Sequence, residues 1–349
     1  MCAVLRDNRR QGVVMKVGLV SLVILLQAAI PAVAQQGKLV LVPAKADKGL
    51  TLVAKTTELV DGDAVTLYDR AVKVLPGDIP GEKIRQWRGV PASQLPLAEA
   101  EAVLKKYTPA FDLLEKAICC KDCKWPAFKP GGAMTANLAN LQQYRSLAFG
   151  LALRGRVAIA KKQYGEAVDI IRAGLRMAQQ LGESDVLVQQ LVAVAIGNVM
   201  CQEIEQLMQS PGSPNLYWAL QTLPVPLVDM EKSITAEVSN IKKNYNVLLA
   251  KTMLNQVKAA HAKVRMQQSK LNRHIAALGC IEGLRIYAAE AGNLPGSLAD
   301  VTQVSVPDDP IEKKAFVYHQ TGSSAVLEAA APNGGKQKDG MHYELMLAK

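Results

Sequence analysis

Apolar residues recur along this chain in two rhythms, one through most of its length and another at its end. From Asp61 to Ala291 they fall three or four positions apart, the period of a helix that buries one face. Leu67, Tyr68, Ala71, Val72 and Leu75 predict a first helix, capped by Asp61 or Asp63 and stopped at Pro76-Gly77. A short helical piece around Ile84–Trp87 lies between prolines, and Pro96 suits the first turn of a long helix from Leu97 to about Cys119. Asn137–Gln163 and Tyr164–Leu181 predict two helices joined by a tight turn. After the break at Gly182-Glu-Ser-Asp185, a third helix to Gln209 is apolar on a wide face through Leu187, Leu191, Val194, Ala195, Val199, Ile204 and Leu207. Asn215 caps a short Leu216–Leu223 helix, and Pro224 and Pro226 break the chain.

Helical spacing returns at Ile241, Tyr245, Leu248, Thr252, Val257, Ala260, Val264 and Leu271, then runs from Leu271 to Ala291 and ends at Gly292-Asn-Leu-Pro295. Beyond it the period shortens. Ala315–His319 and Ala325–Ala329 flank Gln320-Thr-Gly-Ser-Ser as a hairpin candidate, and His342–Leu347 is a third strand candidate. The fold class is therefore mainly α: helical hairpins, a long basic helix, and a small C-terminal α+β module. The division expected is a leader over 1–34, a poorly ordered segment over 35–60 with an extended piece at Leu39–Val42, a helical domain over 61–230, basic amphipathic helices over 231–292 and a β-rich tail over 293–349.

The leader changes the compartment. Arg6, Arg9, Arg10 and Lys16 stand against one acid, Asp7, and the apolar run Val17–Ile30 is broken only by Ser21 and Gln27. Pro31 and Ala32-Val-Ala34 follow, giving the basic head, apolar body and small-residue exit of a secretory signal, with Ala32 and Ala34 filling the peptidase pocket. Cleavage is placed after Ala34. Met15 is a second start that keeps a compact signal. Retention as an anchor is the alternative, since 17 residues from Val17 to Val33 sit at the short limit of a span.

Charge is uneven. The leader carries four bases and one acid, or +3 of the formal +10, so a processed chain is about +7. Between Lys232 and His274 there are nine bases and a single acid, Glu237. This reads as a basic amphipathic helix or helix pair. Either it is the solvated face of a scaffold, or Lys242, Lys243, Lys251, Lys258, Lys263, Arg265, Lys270 and Arg273 form a surface for an anionic envelope component. Membrane association through this helix or an uncleaved leader is consistent with either; export argues against nucleic acid as partner.

Outside the cytoplasm disulfides are allowed. Five cysteines follow the leader, and Cys119, Cys120 and Cys123 sit together, so a structural disulfide at this corner is the first expectation. Ordinary thiols, a redox pair and half a zinc site are the others. The chain has no second Cys-x-x-Cys, no metal-binding pair among His261, His274, His319 and His342, no nucleophile elbow and no phosphate loop. No catalytic residue, metal ligand or cofactor-binding residue is therefore assigned.

Three resemblances add to this. Ala148–Leu181, with Gly155, Tyr164, Ala167 and Gly174, looks like one tetratricopeptide hairpin, although Ala158 replaces the usual aromatic residue. Asp61–Glu237 resembles a family of uncharacterised exported bacterial helical proteins, through Tyr68–Pro76, Cys123-Lys-Trp125, Leu151-Ala-Leu-Arg-Gly-Arg156, Gln190–Ala195, Leu216–Pro224 and Pro226-Leu-Val-Asp229. That family implies architecture and no activity. Ile281–Ala331 is similar to the globular end of G-class type II secretion pseudopilins, through Asn293-Leu-Pro295, Leu298, Pro307-Asp-Asp-Pro310, Phe316-Val-Tyr318 and Gly322; the hydrophobic helix from Val17 lacks the pseudopilin processing site. Asp308 and Asp309 offer either calcium oxygens or a turn cap. The expectation is an exported, non-enzymatic helical scaffold that binds a protein or an anionic envelope component. The alternatives are a structural accessory of a secretion or pilus-like system and an unrecognised envelope hydrolase or redox enzyme.

Overall fold

The computed structural model describes residues 35–54, 56–78, 81–126, 134–332 and 335–348. The leader, with Ala32 and Ala34, lies outside the described residues. Nine α-helices are seen among them: α1 (Ala64–Lys73), α2 (Gly81–Arg88), α3 (Leu97–Ile118), α4 (Met134–Ala160), α5 (Tyr164–Gly182), α6 (Leu187–Met208), α7 (Tyr217–Gln221), α8 (Glu231–Asn244) and α9 (Val247–Ala291). The strands are β1 (Gln35–Leu41), β2 (Val60–Asp63), β3 (Cys120–Asp122), β4 (Val317–Thr321), β5 (Ser324–Ala329) and β6 (Met341–Leu347). The chain is mainly helical with a small C-terminal sheet.

Local chemistry sets the helix ends. Asp63 caps α1 by accepting the Val65 amide at 3.1 Å. At the turn between α4 and α5, the Gln163 amide reaches back to Ala158 O and the Lys162 amide to Ile159 O. That is a Schellman pair, and it places Lys162 in the left-handed region at φ 60°. Gly174 lets α5 and α6 touch: a Cβ there would lie 2.2 Å from Met200 Sδ. Helix α6 is long and apolar enough to cross a membrane by length and composition, the only such helix among the described residues, yet 89 % of its apolar window is buried inside the protein. It is hydrophobic all round because it is surrounded by α4, α5, α8, α9 and β1.

The four-stranded sheet has the order β1-β6-β5-β4. Strands β4, β5 and β6 run antiparallel, whereas β1 lies parallel to β6, with Gln35 opposite Met341 and Leu41 opposite Leu347. This corrects the expectation of a poorly ordered 35–60 segment. Leu39, Leu41 and Leu52 are buried, and the Val42 amide bonds Met208 O at 3.1 Å. A parallel partner must come from far along the chain, so nothing local in Gln35-Gln-Gly-Lys announces the pairing. The tail and the helical domain are also not separate units, since one continuous core runs from Leu39 through α6 to Leu345.

Apart from it stands a small cluster of Ile241, Ala250, Met253 and Val257, drawn only from α8 and α9, with Tyr245 and Leu254 against it. Glu231 pairs with Arg265 and Glu237 with His261, so the two helices run antiparallel. They form a hairpin whose distal half leaves the main core.

If β1 is integral, Leu41→Ala costs about 2–5 kcal/mol in urea unfolding, while Val40→Ala, at a position 44 % exposed, changes stability by less than about 0.5 kcal/mol. Equal, negligible effects at both positions would show that the strand does not pack.

Candidate functional site

The Cys119–Cys123 corner is not a disulfide: Cys119, Cys120 and Cys123 are free thiols. The reason is backbone geometry. Cys120 lies in β3 and Cys123 directly follows it, so three extended steps carry the two Cα atoms about 10 Å apart. A disulfide spans less than about 7 Å between Cα atoms. Cys120 Sγ instead bonds Lys116 O at 3.5 Å, and Cys123 Sγ bonds Gln180 O at 3.4 Å.

Gln180 does the fastening that a disulfide was expected to do. Its amide nitrogen donates to Ala117 O and Cys120 O at 3.1 and 3.2 Å, and its amide oxygen accepts from Tyr68 at 2.6 Å. Its carbonyl accepts from the Trp125 indole at 2.7 Å. Burial, helped by the nearby Asp63 carboxylate, pushes the Cys123 thiol up to about 12. Burial raises Cys120 too. A thiol held protonated is a poor nucleophile and a poor metal ligand, so the corner is structural.

A cleft of 440 Å³ opens beside it between α3, α4 and α5. Phe111, Leu114, Leu151 and Ile170 form its apolar floor, with Arg154 and Arg176 at its walls. Arg154 is taken up by Glu115 at 2.8 Å and Glu166 at 3.5 Å, and Arg176 by the carbonyls of Ile118 and Cys120. These two arginines are thus paired within the protein, and the lining also carries Cys119, Glu58 and Asp169.

The most enzyme-like cluster is largely buried. Glu205 Oε1 accepts from Tyr343 at 2.6 Å and meets His274 Nε2 at 2.8 Å, while His274 Nδ1 lies 3.2 Å from Asn198 Oδ1. His274 and Tyr343 are 1 % and 2 % exposed, and neither the cleft nor a smaller one of 240 Å³ near Gly77 includes them. Burial opposes ionisation of Glu205, but the bonds from His274 and Tyr343 and the charge of Arg156 outweigh it and hold the carboxyl below its usual range. The trio joins α6, α9 and β6, with its His and Tyr buried and the Glu205 side chain 17 % exposed.

The predicted basic surface divides in two. Arg273 is not on it. Its guanidinium is fully buried, gripping both oxygens of Asp309 at 3.0 and 2.8 Å and donating to Ala330 O at 2.8 Å. Lys270 is also buried and pairs with Asp339. Both residues fall on the half of α9 that meets the C-terminal tail, so their charge is spent inside the fold. The same pair decides the Asp308–Asp309 alternatives: Asp309 holds Arg273 and caps the Ile311 amide at 2.9 Å, which occupies the oxygens calcium would need. Among the described residues no cluster of three or more His, Cys, Asp or Glu could hold a metal. Arg265 is exposed but neutralised by Glu231 at 2.8 Å.

Lys242, Lys243, Lys251, Lys258 and Lys263 remain exposed and make no ion pair with a described residue. All five belong to the distal hairpin. No acid occurs between Glu237 and Glu282, and Glu237 is occupied by His261 at 2.5 Å. Leu248 and Thr252, expected on the packed face, are exposed. The chain breaks at Tyr245-Asn246 and α9 starts a new register, so the buried stripe is Ala250, Met253, Val257, His261 and Val264. The apex Val247-Leu-Leu249 escaped the sequence reading; three consecutive apolar residues after a capping Asn were the signal.

Comparisons of the sequence with protein-family models and curated proteins, and of the structure with solved structures, give no match.

The depressed Glu205 carboxyl carries a sign. A group whose folded pKa is lowered stabilises the fold above its unfolded value and loses that contribution as pH falls below it. Thermal melts should show the unmodified chain losing stability more steeply than Glu205→Gln as pH drops below 4.5, the ordinary carboxyl value. Parallel profiles would show that Glu205 is not held ionised.

Proposed function

We propose that the chain is an exported, non-enzymatic helical scaffold that holds an anionic component of the cell envelope. The observation that carries this reading is the basic hairpin. Five lysines without an ion partner among the described residues stand on a helix pair that leaves the main core, over a stretch of sequence with no acid. A protein, a charged polymer or a lipid surface would each meet the same field. The basic head, apolar body and Ala32-Val-Ala34 exit support export to the periplasm or beyond, with anchoring if the leader is kept. The tetratricopeptide-like spacing of Ala148–Leu181 supports a scaffold, as does the cleft beside α5. The paired arginines of the cleft and the burial of His274 and Tyr343 favour binding over catalysis.

A second reading, an accessory of a secretion or pilus-like system, draws on one feature: α9 leads into the antiparallel β4–β6 sheet, in the order of a pseudopilin end.

Protein recovered from the envelope fraction should begin at Gln35 on N-terminal sequencing. Purified, it should bind isolated envelopes at low salt and be released as salt rises. A variant with Lys242, Lys243, Lys258 and Lys263 changed to Glu should fail to bind. Equal binding with and without those charges would overturn the reading, and a retained Met1 or Met15 would overturn processing after Ala34.

A further inference from the structure

At the apex of the hairpin, Val247, Leu248 and Leu249 are 87, 78 and 42 % exposed. They are the only consecutive large apolar residues so exposed among the described residues. Asn246 fixes them by accepting the Leu249 amide at 3.0 Å and starting α9. Behind them Ile241, Tyr245, Ala250, Met253, Leu254 and Val257 already fill the inside of the hairpin. The apex is therefore apolar on the outside of a unit whose own core is complete.

Successive helical residues point about 100° apart. One flat protein surface cannot cover all three side chains, whereas a fluid acyl layer closes around a tip from every side. Lysines form a collar behind the tip. Lys242 and Lys243 lie in the last turn of α8, and Lys251 lies about 6 Å along α9 from Val247. Interfacial anchors have this arrangement, with apolar residues about 5–10 Å into the headgroup boundary and bases among the phosphates. Lys251 and Lys258 share one face of α9, with Lys263 on another, so the lysines alone fit more than one approach. The exposed apolar apex is what favours an end-on one.

We infer that the α8–α9 hairpin docks end-on into an anionic phospholipid bilayer, with Val247, Leu248 and Leu249 at the acyl boundary and Lys242, Lys243 and Lys251 on headgroup phosphates. This rests on the reading of the hairpin as an anion-binding surface and names its partner.

The test uses the full processed chain with sedimented vesicles, either equimolar phosphatidylglycerol and phosphatidylcholine or phosphatidylcholine alone, alongside isolated envelopes. The chain binds the anionic vesicles and binds the neutral ones far more weakly. Changing Val247→Ser and Leu248→Ser together lowers partitioning about tenfold or more, and their exposure leaves folding intact. Lys251→Gln lowers it about fivefold, while Lys263→Gln, about 24 Å from the apex along the helix, has a smaller effect. If the serine variant binds anionic vesicles as well as the original, the contact is surface adsorption and the inference is overturned. If the chain ignores anionic vesicles yet still binds envelopes through its lysines, the partner is an acidic protein or polymer; the inference falls while the broader reading stands. Loss of both kinds of binding overturns both.

Discussion

A single helix longer than the body it belongs to governs this structure. Helix α9 has 45 residues and so spans about 68 Å. A globular body of this chain length measures about 50 Å across. Such a helix cannot be covered along its whole length, and the sequence assigns its two halves differently. From Val264 to Ala288 it is lined by Leu271, Ile275, Leu278, Ile281 and Leu284, all in the main core. From Val247 to Val257 its only apolar cover is α8.

Polar contacts of buried side chains decide where the covered half sits. Arg273 holds Asp309 of the tail, His274 meets Glu205 of α6, and Arg285 binds Glu282 at 2.8 Å together with Val42 O, Ser213 and Pro214 O. Arg285 thus ties the exit of β1 to the 213–216 loop and to α9 at one point. Such pairs add little net stability against apolar replacements, but leaving one partner alone is costly. Their effect is to fix register: a helix slipped by one turn would strand several charges at once. With that half immobilised, the distal half extends in one direction, and the lysines and apex it carries are presented outward.

Much of the helical body was legible in the sequence because its signals are local. Asp63, Pro96 and Asn215 mark helix starts, Gly292 marks an end, and Gly174 marks a close contact. The β4–β5 hairpin announced itself by its change of period and by Gly322 at φ 60°. What escaped depends on partners distant in the chain. Strand β1 pairs with β6 some 300 residues away. The join of the basic stretch to the following helix was hidden by reading one period through the Tyr245-Asn246 break. A charge total along the sequence places Lys270 and Arg273 on the surface. Their neighbours Leu271, His274 and Ile275 already marked a covered face, where a base implies a buried acid. The cysteine corner misled for the opposite reason: spacing was read without the extended backbone that separates Cys120 from Cys123.

Native-state amide hydrogen exchange resolved by peptide tests directly whether α9 divides into a fixed and a projecting half. Amides of 250–262 should exchange through local opening of the hairpin, with a lower free energy than those of 272–288, whose exchange should require global unfolding. One uniform protection level along the whole helix would contradict that division, because the distal hairpin would then be part of the same cooperative unit as the body.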